Sequence, residues 1–321
     1  MSSCSENQQT ITVGFYNLEN LFDTINDPNT NDEWFLPTSD IEWNSDKYTT
    51  KLHNLAEVIS EMAEGSEPDL LGVCEVENKA VVEDLIDEAA IRKIGYSIAH
   101  VESKDERGID VALLYKPSVF SVTNVEAITV DLSAFNDKTR DILRVDGTLS
   151  GTPVSVYVNH WPSRSEGMKE SEPKRTRAAT TLYENATQNS RPAIIIGDFN
   201  DEPYNRSIQN RLFADDRTDL DAFPFYNCMF PLEMKHDTMG TYCYRGDWNM
   251  LDQVILSDTL LSHPDLKYVE ESASIYNPGK IRQHTDNEYD GYPNRTFGGR
   301  KYLGGYSDHF PVYIKLVTTK N

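Results

Sequence analysis

Cysteine, basic charge and long apolar runs are all scarce in this chain of 321 residues. The four cysteines, Cys4, Cys74, Cys228 and Cys243, form no CxxC pair, which excludes the common zinc-ribbon and thiol-redox motifs. Cys74 lies in an apolar run and reads as a small core residue. Cys228 and Cys243 are free to pair, but nothing requires it. No apolar stretch reaches the roughly 18 residues of a membrane-spanning helix, so stable membrane insertion is not expected. Lys and Arg total 30 against 52 Asp and Glu, a formal net charge of -22. A field of that sign favours solubility and repels polyanions at long range. It argues against a tight, non-specific nucleic-acid binder, which presents a broadly basic face. It leaves room for a phosphate substrate held by a local basic patch and a bound cation.

What is present is enough for a large core: 38% hydrophobic and 10% aromatic residues exclude a disordered acidic tail. Apolar runs alternate with amphipathic stretches along the whole sequence. Strands are expected over residues 11–16, 70–74, 96–101, 109–115, 119–130, 142–149, 154–159, 193–196, 251–256 and 311–317. Helical spacing marks Leu52, Leu55, Val58, Ile59 and Met62, then Val81, Val82, Leu85, Ile86 and Ala89. A third helix is expected over residues 174–185, opened by Pro173, whose missing N–H has no partner at a first helical position. Residues 23–44 and 279–305 read as long loops. With no internal repeat and no linker, the economical reading is one α/β domain over residues 10–317, between a flexible tail at 1–9 and a short tail at 318–321. A monomer is expected. The opening Met1-Ser2-Ser3-Cys4 is similar to the end of a bacterial lipoprotein signal; a cytoplasmic chain with a disordered start and an envelope-anchored one are both open.

Four distant segments each join apolar residues to acid, amide or imidazole: Leu70 to Glu75, Val156 to His160, Ile194 to Asn200, and Ser307 to Phe310. Glu75, His160, Asp198 and Asn200 follow their strands, whereas Asp252 and Asp308-His309 precede theirs. All share one rim only if the later strands run antiparallel, so a mixed sheet system with one functional edge is expected. That rim suits metal-assisted cleavage of a phosphate ester. Glu75 is the leading ligand for Mg²⁺ or Mn²⁺, with Asn17, Glu19 and Asp308 as plausible partners. Asp198 is placed to orient or deprotonate an attacking water, and Asn200 to donate to a phosphate oxygen. Asp252 is a candidate to fix the tautomer of His309; His160 is suited to protonate the leaving oxygen. Taken singly, each has a plainer reading as a strand-end acid, a turn former or a satisfied histidine. Arg107, Arg164, Arg295 and Tyr306 are the candidates for substrate contact, through the guanidinium fork and ring stacking.

Tyr16-Asn17-Leu18-Glu19, Leu71-Gly72-Val73-Cys74-Glu75, Gly197-Asp198-Phe199-Asn200, Leu251-Asp252-Gln253 and Ser307-Asp308-His309 together resemble the endonuclease/exonuclease/phosphatase superfamily. The motifs occur in the family's order and cover nearly the whole chain. The resemblance implies a four-layered α/β sandwich, two packed mixed β-sheets flanked by helices, as in deoxyribonuclease I. It implies Mg²⁺ on Glu75 with Asn17, Glu19 and Asp308 nearby, an Asp252–His309 pair at the phosphate, and a catalytic role for His160. Val73-Cys74-Glu75 departs from the family's Leu-Gln-Glu, and Gln253 stands where an aromatic or Ile is usual. The expected function is a divalent-metal phosphodiesterase using in-line attack of water, with nucleic acid the leading substrate. A lipid or inositol phosphoesterase is the alternative, with residues 223–226 and Met229-Phe230 as its only apolar patch. A non-catalytic binding module on the same scaffold is a reading from another class.

Overall fold

A computed structural model describes residues 8–216, 223–234 and 239–319. Two seven-stranded mixed sheets form its centre. In the first, the spatial order is Leu266–Tyr268, Val312–Thr318, Thr10–Leu21, Leu70–Val76, Asp110–Tyr115 and Ser97–His100, with Ser274–Ile275 also pairing Val312–Thr318. In the second it is Phe120–Ile128, Ile142–Leu149, Thr152–His160, Ala193–Asp198, Asp252–Ser257, Phe225–Asn227 and Ala214–Asp215. Val312–Thr318 runs antiparallel to Thr10–Leu21, and Asp252–Ser257 antiparallel to Ala193–Asp198. Asp252 therefore lies directly opposite Asp198, and strand starts meet strand ends at one rim, as the sequence requires.

The inner faces bury Val13, Phe15, Leu70, Val156, Ile194, Ile196 and Val254 in one cluster. The sheets approach so closely that a Cβ added at Gly72 would lie 2.6 Å from the Ile196 side chain, which is why this strand carries no side chain there. Helices Ser45–Glu61 and Lys79–Ile86 cover the first sheet with Leu52, Leu55, Val81 and Leu85. Asn44 and Asn78 cap them, each side chain accepting an N–H from the first turn. The helix Met168–Gln188 covers the second sheet with Ala178, Ala179 and Leu182. Four layers result.

Several expectations are corrected. The third helix starts at Met168, not after Pro173, which lies inside it. Proline removes the bond to Lys169 O, and the turn before it is tied by side chains: Ser171 Oγ donates to Gly167 O at 2.5 Å, and Arg175 donates to Met168 O at 2.9 Å and Ser171 Oγ at 2.7 Å. Most of the supposed apolar patch is core: Phe225, Tyr226, Met229 and Phe230 are buried, and Phe223 and Pro224 are half-buried. The 279–305 loop contains a short hairpin, Phe297–Gly298 with Lys301–Tyr302. Thr318, assigned to the tail, still pairs with Leu266. Cys228 and Cys243 form no disulfide with each other. Cys4 and most of the expected N-terminal tail lie outside the described residues, and among these no helix is long and apolar enough to cross a membrane.

Candidate active site

The rim is built where regular strands break. Glu19, Asn20, Glu75 and Asn200 all have left-handed backbone, with φ of 50°, 54°, 58° and 50°. The pairing of Thr10–Leu21 with Leu70–Val76 shifts between Asn17 and Leu21, and that of Leu70–Val76 with Asp110–Tyr115 shifts between Cys74 and Val76. Such conformations are costly for residues with a Cβ and concentrate where side chains must be re-aimed. Here they turn Glu75 toward the gap between the sheets. Asn20 N donates to Glu75 Oε2 at 2.9 Å.

Buried Asn17 ties the two sheets together, its amide donating to Glu75 Oε1 at 3.2 Å and Asp198 Oδ2 at 3.1 Å. His160 Nε2 stands 3.7 Å from Glu75 Oε1 and 3.8 Å from Asp198 Oδ2. Asp198 Oδ2 in turn is 3.9 Å from His309 Nε2. Residues from both sheets thus converge on one spot. His309 Nδ1 donates to Asp252 Oδ2 at 2.7 Å, which fixes its tautomer and leaves Nε2 toward Asp198. Ser307 sets its position: Ser307 Oγ accepts from His309 N at 3.1 Å and donates to Asn17 O at 2.6 Å. The Tyr242 ring packs on the imidazole at 4.9 Å between centroids.

The two histidines are driven apart. Burial alone would lower both. At His309 the charges of Asp252, Asp198 and Asp308 outweigh burial and hold the imidazolium well above the ordinary range. At His160 burial is reinforced by Arg140, Arg107 and His309, so the neutral ring is favoured. Arg140 is fixed there by bonds to His160 O at 3.2 Å and Trp161 O at 2.7 Å. Burial also raises the carboxyl of Asp198, aided by Asp252 and Glu75 and opposed by His309. His160 Nδ1 and Asp252 Oδ1 are buried without a protein partner, so the site keeps hydrogen-bonding capacity for a ligand.

Glu19 adjoins Asn17, its N–H donating to Asn17 Oδ1 at 2.9 Å, and Asp308 lies across Arg295 from it. Glu19 accepts from Thr296 N at 2.6 Å, and Arg295 bridges it, at 3.4 Å, to Asp308, at 3.0 Å. Burial and the Asp308 charge raise the Glu19 carboxyl despite Lys51 and Arg295. An all-oxygen set with more negative charge than the protein neutralises fits a hard divalent cation. Asp198, Asp252 and His309 also present ligand atoms within 4.8 Å of one another.

The substrate candidates are placed less uniformly. Arg295 lines a cavity of about 590 Å³ with Tyr244, Arg245, Tyr289, Tyr292 and Asp308. Arg107 is exposed, near Asp105 and a second hollow of about 390 Å³ by Pro162 and Ser163. Arg164 faces inward: it donates to Asn200 O at 2.6 Å, Asn249 Oδ1 at 2.7 Å and Asn205 Oδ1 at 3.1 Å. It holds the loop behind Asp198. Tyr306 packs against the helix-side cluster. Asn200 donates to Trp161 O at 3.1 Å. Three contributors escaped sequence reasoning. Lys51 is buried in a helix and donates to Thr296 Oγ1 at 2.6 Å; its lone charge on an apolar helical face was the available signal. Thr241 Oγ1 accepts from Asp252 N at 3.1 Å. Gln253 donates to Asp201 O at 2.6 Å and Met250 O at 2.9 Å while accepting from Asn227 at 2.7 Å, which accounts for an amide at that position.

The family model described as "Endonuclease/Exonuclease/phosphatase family" matches residues 12–318. No curated protein matches the sequence. Among solved structures the chain is similar to D. rerio TDP2 complexed with a single-strand DNA product, at 14% identity and TM-score 0.59, over 96% of this chain and 98% of that one. It is similar to the Bacteroides thetaiotaomicron mannosyl-6-phosphatase at 16% identity and TM-score 0.58, over 95% and 99%. The human Nocturnin catalytic domain follows at 17% identity and TM-score 0.57, over 98% and 97%.

Proposed function

We propose that this chain, which belongs to the endonuclease/exonuclease/phosphatase family of metal-dependent phosphoester hydrolases, cleaves phosphodiesters by in-line attack of water, with nucleic acid as its leading substrate class. The observation that carries the proposal is the unbroken approach of Glu75, His160, Asp198 and His309 in steps of 3.7, 3.8 and 3.9 Å. Glu75 would hold Mg²⁺ or Mn²⁺ with Asn17, Glu19 and Asp308. When bound, the cation neutralises charge on the phosphate and lowers the barrier to attack. Asp198, its carboxyl anchored by Asn17 and Asn200 N, orients water and takes its proton. His309, kept charged by Asp252, stabilises the negative charge that grows on the phosphoryl oxygens. His160 is the neutral donor at the same group rather than the general acid that its sequence position suggested, and the His309 imidazolium supplies the proton that the leaving oxygen takes as the P–O bond breaks. Asn200 N orients Asp198, and Arg164 keeps that loop in place.

Nucleic acid is favoured because the cavity beside Asp308 combines three tyrosines with Arg245 and Arg295, a surface for stacking and for phosphate. Burial of Phe225, Tyr226, Met229 and Phe230 leaves little apolar surface for a lipid, with only Phe223 and Pro224 half-buried, which supports nucleic acid over lipid. The test is a panel of plasmid DNA, RNA, sphingomyelin, inositol and sugar phosphates, and bis-p-nitrophenyl phosphate, each with Mg²⁺, Mn²⁺ or chelator. Metal-dependent cleavage of DNA or RNA is expected. Cleavage confined to monoesters or lipid would overturn the substrate assignment, and no turnover of any phosphoester would overturn the mechanism.

A further inference from the structure

Cys74 places a soft donor under the rim. It pairs with Asn17 in the first sheet, directly before Glu75, and its side chain joins the fully buried cluster between the sheets. Its Sγ, a ring nitrogen of His160 and an oxygen of Asp198 lie within 4.8 Å of one another. The imidazole of this trio has no hydrogen bond of its own. The His160 side chain is only 3% exposed, and Nε2 stops 3.7 Å from Glu75 Oε1 and 3.8 Å from Asp198 Oδ2, beyond hydrogen-bond reach. Nδ1 is buried with no partner at all. A buried ring that satisfies neither nitrogen is unfavourable until a ligand fills the gap.

We infer that Cys74, His160 and Asp198 form a second cation site, of the zinc class, whose occupation shuts down the rim. Thiolate and imidazole select Zn²⁺, whereas Mg²⁺ takes oxygen ligands. Binding is an exchange: the Cys74 S–H bond breaks, the sulfur bonds the metal and the proton leaves to solvent. One thiolate and one carboxylate then balance the two charges of the ion, so it can be buried without excess charge. Asn17 supports the set from behind, its amide donating to Asp198 Oδ2 at 3.1 Å. Three protein ligands leave a fourth position, and Glu75 stands next to it, half-buried and facing His160 Nε2. The ion therefore enters from the rim. Once there it withdraws Asp198 from water and His160 from the phosphate. This inhibition rests on the catalytic roles proposed above; the binding does not.

The experiment titrates CoCl₂, a spectroscopic stand-in for Zn²⁺, into the metal-stripped full chain and reads the near-ultraviolet absorption of a sulfur–cobalt bond, for wild type, C74S and C74A. Wild type is expected to develop the band and both variants to lose it. ZnCl₂ is then titrated into Mg²⁺-dependent hydrolysis of bis-p-nitrophenyl phosphate, each protein being compared with its own rate before Zn²⁺ is added. Half-inhibition of the variants is expected to need at least about tenfold more Zn²⁺ than wild type, the low end of what losing even a supporting metal contact costs. Should C74S fail to fold, C74A carries both tests. Cobalt bound without the band, no cobalt bound, or a band that survives in the variants overturns the site. Equal zinc sensitivity of wild type and variants overturns the inhibition. Absence of Mg²⁺-dependent turnover in all three proteins would overturn the phosphoesterase reading and the inhibition with it, while the absorption result still decides the site.

Discussion

Two groups of carboxylates sit at the same end of Thr10–Leu21 and Leu70–Val76, and the protein treats them differently. Around Glu19, Glu75, Asp198, Asp252 and Asp308 it supplies its own positive groups: Lys51, Arg295 and the His309 imidazolium. Around Asp23, Asp27, Asp32 and Glu77, two to thirteen residues further along, no Lys, Arg or His among the described residues forms an ion pair. The first arrangement offsets part of the negative charge and leaves an excess that suits a divalent cation, which in turn can receive the phosphate. The second is served by backbone N–H groups instead: Asp23 N donates to Glu77, Ile25 N to Asp23, Asp27 N to Asp32 and Asn29 N to Asp27. A carboxylate cluster is thus read by what faces it, not by its acids alone.

The sharpest way to break this contrast is to disable one cluster and read the other. Asp198→Asn and His309→Ala should each lower kcat on bis-p-nitrophenyl phosphate by about 10²–10⁴-fold, whereas Asp27→Asn should leave it unchanged. Wild-type turnover in either folded variant would remove that residue from the mechanism. Next in size, Glu75→Gln should raise the Mg²⁺ requirement by about 10–100-fold, measured as half-saturating Mg²⁺ for turnover, with Asp27→Asn showing no such rise. Asp252→Asn should then bring the alkaline limb of the pH–rate profile to lower pH. The carboxylate favours the imidazolium, so its removal lowers the His309 pKa and the charged form is lost earlier as pH rises. An unmoved limb would assign it to another group. Smallest, Arg164→Ala should cost about 1–3 kcal/mol of stability through its unsatisfied acceptors, seen in urea melts, and reduce kcat more than KM is raised. A change in KM alone would make Arg164 a substrate contact after all.

Much of this was legible in the sequence because strand ends in an apolar pattern fix where polar residues must go. Asp252 and Asp308-His309 preceding their strands demanded antiparallel pairing, and Asp252 does lie opposite Asp198. What the sequence concealed depends on partners far along the chain. Arg164 looked like an exposed phosphate binder until folding placed Asn200 O and Asn249 against it. Phe225 and Tyr226 looked like a surface patch because their strand partner, Asp252–Ser257, lies beyond Met250. Pro173 suggested a helix start because the Ser171 and Arg175 side-chain bonds that tie the preceding turn to Gly167 O and Met168 O are visible only in three dimensions. The left-handed backbone at Glu75 has no signature in a residue that carries a Cβ.

Hydrolysis of bis-p-nitrophenyl phosphate by wild type and Glu75→Gln across a Mg²⁺ titration beginning in chelator bears most directly on the shared rim. Convergence of Glu75, His160, Asp198 and His309 on one cation and one phosphate predicts no turnover without metal, recovery of wild type at low Mg²⁺, and a displaced, weakened curve for the variant. Equal turnover by both proteins in chelator would contradict it.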